Sequence, residues 1–144
     1  MLIWRDAMST GHKEIDAANR QLIHRVNTFQ KALGAQGPRI AIGLFLTGLY
    51  EQASINFSRE DKVQRECNFT FHEVHKKEHE ALLRSLSQIS HQYDDLDEGG
   101  DHAQLLREVA ALVKEWVAQH MVKSDVKLKP YWLRKNGVFV KSGW

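Results

Sequence analysis

The chain has 144 residues, 42% hydrophobic and 26% charged, with a formal charge of +2, which is enough for one well-filled core and too little for two. Acidic and basic residues are interspersed, so there is no concentrated basic face for nucleic acid, and no apolar run is long enough to span a membrane. The N-terminal MLIWRDAMSTG lacks a secretory h-region, and the single Cys67 has no internal disulfide partner; both fit a reducing, cytoplasmic setting.

The apolar spacing predicts four helices. The first starts near Ser9 or Thr10, either of which can cap it, with Glu14 in the first turn. Ile15, Ala18, Leu22, Val26, Phe29 and Leu33 recur at helical spacing, and Gly34, Gly37 and Pro38 stop it. A second helix runs from about Arg39 to Arg65, apolar early through Ile42, Leu44, Phe45, Leu46 and Leu49. Gly43 and Gly48 weaken it but permit close packing. The segment CNFT breaks the pattern, and Thr70 can cap a third helix whose inner stripe is Val74, His75, Leu82, Leu86 and Ile89, with His79 alongside. That helix ends before DDLDEGGD, a solvated acidic loop without the EF-hand ligand pattern. The fourth opens at Asp101 with Gln104 as a capping-box partner and follows Leu105, Val109, Leu112, Trp116 and His120 inward. Lys129-Pro130 is expected to end any helix there. Short connections make neighbours antiparallel, so the expected architecture is an all-α, up-down four-helix bundle. It occupies one domain over residues 1–144: an N-terminal arm at 1–9, the bundle at about 10–125 and a C-terminal tail at 126–144.

Within this frame, His75 and His79 form an i, i+4 pair; four residues advance a helix by about 400°, so both project from nearly one face. Imidazole pairs completed by residues of neighbouring helices are a common way to build a metal site in a bundle. Taken alone, the pair is as easily solvated, since Lys76, Lys77 and Glu78 lie between its members; Val74, Leu82 and Leu86 favour burial. His120 stands between Trp116 and Met121, which points it inward. Glu60, beside Arg59 and Asp61, reads by itself as a solvated charge. Asp125 follows His120 by five residues, which a straight α-helix separates by about 140°. Convergence on one ion therefore requires a local distortion.

The order of these residues resembles the hemerythrin family, small four-helix proteins that bind oxygen at a di-iron centre. The resemblance starts at Trp4 and GHKEIDAAN, continues through NFSRED and HEVHKKEH, and ends at WVAQHMVKSDVKLKPYW. It implies that His75, His79 and His120 are terminal ligands of one iron and that Glu60 and Asp125 are carboxylates bridging two. Two departures fall together. The family's His three positions after "ID" is here Asn19, and its His four positions before the bridging Glu is Asn56. Both would serve the second iron. A carboxamide oxygen is neutral and hard, better suited to calcium or magnesium than to iron or zinc. Buried, the two amides are expected to hydrogen-bond each other, a water or a carboxylate.

The expectation is therefore a bacteriohemerythrin-like, non-heme metal-binding domain with one position retained. His75, His79, His120, Glu60 and Asp125 would hold iron, with zinc or manganese as alternatives. A weaker second position lies at Asn19 and Asn56. Oxygen carriage in the family takes one electron from each of two irons, so conventional carriage is expected to be impaired, leaving oxygen or redox sensing. A pocket is expected at Gln64, Trp116 and Val117, where the family usually has an apolar Met in place of Gln64; the polar Gln suits water or a small anion and argues against a dry oxygen pocket, so the expected small-molecule partner is a small anion or dioxygen. The alternative is a degenerate signalling or interaction module. A third reading, for which the sequence identifies no substrate pocket, is an enzyme using one metal for peroxide, nitric oxide or superoxide chemistry at an open coordination position near Asn19 and Asn56; the protein partner is unknown. His12, His24, His72, His91 and His102 read as surface or capping residues, Cys67 as a packing side chain, and Trp4, Trp132 and Trp144 as packing residues in the tails.

Overall fold

The computed structural model describes residues 2–34, 39–96 and 102–137. Five α-helices and shorter helical pieces make up those residues: a 3-10 turn at Asp6–Met8, α1 (Lys13–Gly34), α2 (Arg39–Glu66), α3 (His72–Asp95), α4 (His102–Glu115), a π-helical segment at Trp116–Ser124, a 3-10 turn at Asp125–Lys127 and α5 (Leu128–Lys135). The first four α-helices form the bundle, and α5 continues the fourth rod past the expected stop. Among the described residues no helix is long and apolar enough to cross a membrane.

The apolar stripes account for the packing. Leu22, Val26, Phe29, Ile42, Leu46, Leu49, Leu86, Ile89, Val109 and Trp116 are buried in one core. Phe29 stacks on Phe45 with centroids 3.8 Å apart. The side chain of Leu33 lies outside the described residues, as do Gly37, Pro38, Asp101 and Trp144. Val74, expected on the inner stripe of α3, faces solvent instead at 59% exposed, as does Leu44 of the apolar early part of α2 at 69%. A second cluster of Ile15, Val63, Cys67, Phe69 and Leu128, with Tyr131 and Trp132 against it, closes one end of the bundle.

Several local expectations need correction. His12, not Ser9 or Thr10, caps α1: its Nδ1 accepts the Ile15 N–H at 3.3 Å. Ser9 and Thr10 are instead clasped by Asp16. Its carboxylate accepts the Ser9 hydroxyl (2.6 Å), the Thr10 N–H (2.8 Å) and the Thr10 hydroxyl (2.8 Å). Thr70 does not cap α3, whose N-cap Phe71 has no side-chain cap; the Thr70 hydroxyl accepts from Tyr131 at 2.9 Å. The third helix runs to Asp95, into the acidic stretch. Pro130 does not end the helix, because it stands in the first turn of α5, where its missing N–H needs no intrahelical acceptor. Gln104 accepts from Arg107 at 2.8 Å.

Asp16 is 7% exposed and Thr10 fully buried. The Asp16→Ala variant, which strands the Thr10 donors, is expected to lose about 3 kcal/mol of unfolding free energy in urea titration.

Candidate metal centre

The donors come from three rods and meet between the two apolar clusters. Glu60 projects from α2, one turn beyond Phe57 of the main core and one turn before Val63 and Gln64 at the closed end. The α3 pair behaves as its spacing predicts, and both His75 and His79 are buried. His120 and Asp125 lie within and just after the π-helical segment. The Asp125 N–H donates to the His120 carbonyl, an i→i+5 bond. That wider turn brings residues five apart onto one face, which is the distortion the sequence required.

Between 3% and 6% of each of the five residues is exposed. One ligand atom from each lies within 4.8 Å of all the others, a grouping that can hold a metal ion. His75 Nε2 is 3.0 Å from Asp125 Oδ1 and 3.5 Å from Glu60 Oε2. His79 Nε2 is 2.9 Å from Glu60 Oε2, and His120 Nε2 is 3.0 Å from Asp125 Oδ1. His79 Nε2 and His120 Nε2 face each other at 2.9 Å. Despite these short separations, Glu60 Oε2, His75 Nε2 and Asp125 Oδ1 have no hydrogen-bond partner. Their contacts are close enough for ion pairs but too bent for hydrogen bonds, as expected of atoms aimed at a shared centre. Buried polar atoms left this way are costly unless something else satisfies them. The donor set, three imidazoles and two carboxylates, suits a first-row transition metal.

The charge state of the cluster follows from its crowding. Burial lowers the His75 pKa, but Asp125 and Glu60 outweigh it and push the group up to about 9. His79 is lowered, chiefly by burial. His120 is raised: burial opposes, and the Asp125 carboxylate prevails. Asp125 is held well below the usual carboxylate range because His120 and His75 overcome the effect of burial.

Supporting residues surround the donors. Glu78 Oε2 accepts from His120 Nδ1 at 2.9 Å. Burial raises the Glu78 pKa, but bonds from Ser124 and His120 lower it overall. A carboxylate on the outer nitrogen fixes the tautomer that leaves Nε2 free for a ligand role. Sequence reasoning read Glu78 as a solvated neighbour of the histidines; its position directly before His79 was the available signal. Phe57, also missed, stacks on His79 at 3.8 Å and lies 5.4 Å from Trp116.

The two asparagines are buried. Asn19 Nδ2 donates to Asp125 Oδ2 at 3.2 Å, matching the expectation of an amide–carboxylate bond. Asn56 Nδ2 has no hydrogen-bond partner. The expected pocket divides. Trp116 and His120 line a cavity of about 510 Å³ between α3 and the fourth rod, together with Glu78 and Leu82. Gln64 does not line it: its Oε1 is 3.0 Å from His72 Nδ1 at the other end of the centre. The Val117 side chain lies outside the described residues. His72, expected at the surface, is half-buried between Gln64 and Asp61, with its Nε2 3.2 Å from Asp61 Oδ1. Cys67 is buried, which raises its thiol pKa.

Comparison with known proteins agrees with the geometry. Residues 8–132 match the family model of the hemerythrin HHE cation binding domain. The chain is similar to the bacteriohemerythrin of Pseudomonas paraeruginosa, 25% identical over 125 residues that cover 86% of this chain and 76% of the relative. Bacteriohemerythrins of Pseudomonas aeruginosa strains match with the same identity and coverage. A bundle of this order, a buried His/Glu/Asp cluster and a family match across most of its length mean that the chain belongs to the hemerythrin family.

Proposed function

We propose that the protein holds a single iron ion through His75, His79, His120, Glu60 and Asp125 and serves as a redox or small-ligand sensor rather than an oxygen carrier. The observation that carries this reading is the Asn19 bond to Asp125. In the family pattern the second oxygen of this carboxylate would reach a second iron. Here Oδ2 is taken by an amide N–H, while Oδ1 faces His75 and His120. Asn19 and Asn56 stand where the second iron would have imidazoles, and a carboxamide is a poor iron ligand.

Bound iron supplies a one-electron couple and Lewis acidity. The residues do the rest. The Glu78 carboxylate orients His120, and Phe57, backed by Trp116, stacks on the His79 ring. Asn19 directs Asp125. A chain with one free, buried thiol suits a reducing cytoplasm.

Purified protein loaded with iron under anaerobic conditions is expected to hold about one ion per chain, and His79→Ala to lower metal affinity about 100-fold or more, measured by chelator competition. A stable chain without metal affinity would favour the interaction-module reading. Restoring both imidazoles in an Asn19→His/Asn56→His variant is expected to raise iron content to about two per chain.

Metal and proton compete for His75. Its folded pKa of about 9 exceeds the ordinary 6.5. The metal-free protein therefore gains stability from this group that is complete below about pH 6.5 and is lost as pH rises through about 9. A metal ion needs the neutral ring, so loading releases protons and tightens as pH rises toward about 9. Calorimetry in buffers of different ionisation enthalpy is expected to show at least about one proton released per ion at neutral pH. Thermal scans should show the metal-free form weakening between about pH 7 and 9 while the loaded form does not.

A further inference from the structure

α3 and the fourth rod flank a groove that changes character along its length. Phe71, Val74, Glu78, Leu82 and Ser85 recur every three or four residues, so they share one face of α3 over about 21 Å. At the end nearest α5 that face carries two apolar knobs: Phe71 is 41% and Val74 59% exposed. The charges beside them on the fourth rod are cationic. Lys127 Nζ lies 4.8 Å from the Phe71 ring, and Lys123 stands one turn earlier. Toward the other end the groove deepens into the cavity of about 510 Å³, whose apolar floor is Ala81, Leu82, Leu112 and Trp116 and whose rim carries Glu115. Glu78 and His120, 2.9 Å apart, lie midway.

Shape and charge both reverse about that midpoint. On α3, Phe71 lies seven residues before Glu78 and Ser85 seven after it; Val74 and Leu82 each lie four away. On the fourth rod, Lys123 and Lys127 lie three and seven residues after His120, and Glu115 lies five before it. A half-turn about an axis running across the two rods at this level lays the knobs over the apolar floor. The same rotation sets Glu115 between the positions of Lys123 and Lys127. A patch that matches itself in this way is what a two-fold contact between identical chains requires. Single exposed apolar residues are ordinary on a protein surface. Here two of them stand at the distance from a hollow that the rotation demands. Glu78 falls on the axis, and its carboxylate is already held by His120 and Ser124 of its own chain, which moderates the repulsion between the two copies.

We propose that a second copy of the chain docks on this face by two-fold symmetry. Phe71 and Val74 of each copy enter the cavity of the other, and Glu115 of each faces the partner's Lys123 and Lys127. The contact covers Glu78, the residue that holds His120, so assembly and the metal centre share one side chain. A face of two short rods forms a weak, reversible dimer, with Kd in the micromolar range. The inference stands independently of which metal the centre holds and of how many ions it takes.

The test is analytical ultracentrifugation of the full chain, metal-free and iron-loaded, from about 1 to 500 μM. The mass is expected to rise from one chain toward two and stop there, and the dimer to weaken as salt is added. Each substitution counts twice in a two-fold contact. Val74→Glu sets an acid against the partner's Glu115 end and is expected to weaken the dimer about tenfold or more. Leu44→Glu, equally exposed but on α2, is expected to leave it unchanged. Glu115→Lys and Lys123→Glu are each expected to weaken it, and the double reversal Glu115→Lys/Lys123→Glu to bind more tightly than either single variant. A chain that stays single at every concentration in both metal states overturns the proposal. So does a mass that grows past two chains, a dimer that Val74→Glu leaves intact, or a double reversal no tighter than the singles. If the charge reversals fail to fold by circular dichroism, Val74→Glu decides, because its side chain lies in solvent and carries no part of the core.

Discussion

The bond from the Asp125 N–H to the His120 carbonyl governs the centre. In a regular α-helix the same N–H would reach Met121, and Asp125 would turn about 140° from His120. The wider turn puts both side chains on one face, from which Asp125 reaches His75 and His120 with one oxygen and Asn19 with the other. Such geometry is rarely stable by itself and needs anchors on both sides. Met121 is buried within the segment, and Leu128 pins the following helix into the apolar cluster at the closed end of the bundle. α5 is therefore part of the device that keeps the π turn in place.

The price of the arrangement is a dense set of buried polar groups. Three imidazoles and two carboxylates lie out of contact with water, and three of their atoms lack hydrogen bonds. Charges in such surroundings are tolerated only when paired or bound to a metal. Aromatic walls close the space from both directions: Phe57 against His79, and Phe69 at 6.0 Å from His75. The centre is thus preorganised by packing, with its donors aimed inward.

Its two sides are chemically unlike. Toward α3 and the fourth rod, Glu78, itself bonded by Ser124, holds the outer nitrogen of His120 beside an open cavity. Toward α1 and α2 the polar side chains are neutral amides, with Asn19 bonded to Asp125 Oδ2. This asymmetry follows from Glu78 on α3 and from Asn19 and Asn56 on α1 and α2.

Much of the arrangement could be read from the chain alone, because local periodicity expresses it. The stripe from Ile15 to Phe29 and the pair His75 and His79 need only the pitch of a helix. The four rods of the bundle and the inward direction of His120 follow from the same pattern. Position-specific identity carried the likeness to the hemerythrin family. Tertiary structure decided what periodicity cannot express. The π turn that swings Asp125 into place depends on anchors before and after it, and an α-helical pitch predicts the opposite. Glu78 looks solvated until His120 arrives from 42 residues away. Gln64 is drawn to His72, and Pro130 is accommodated because its position in the first turn needs no N–H donor. Helical period sets which face a residue occupies; only the packing of distant faces sets which groups meet across it.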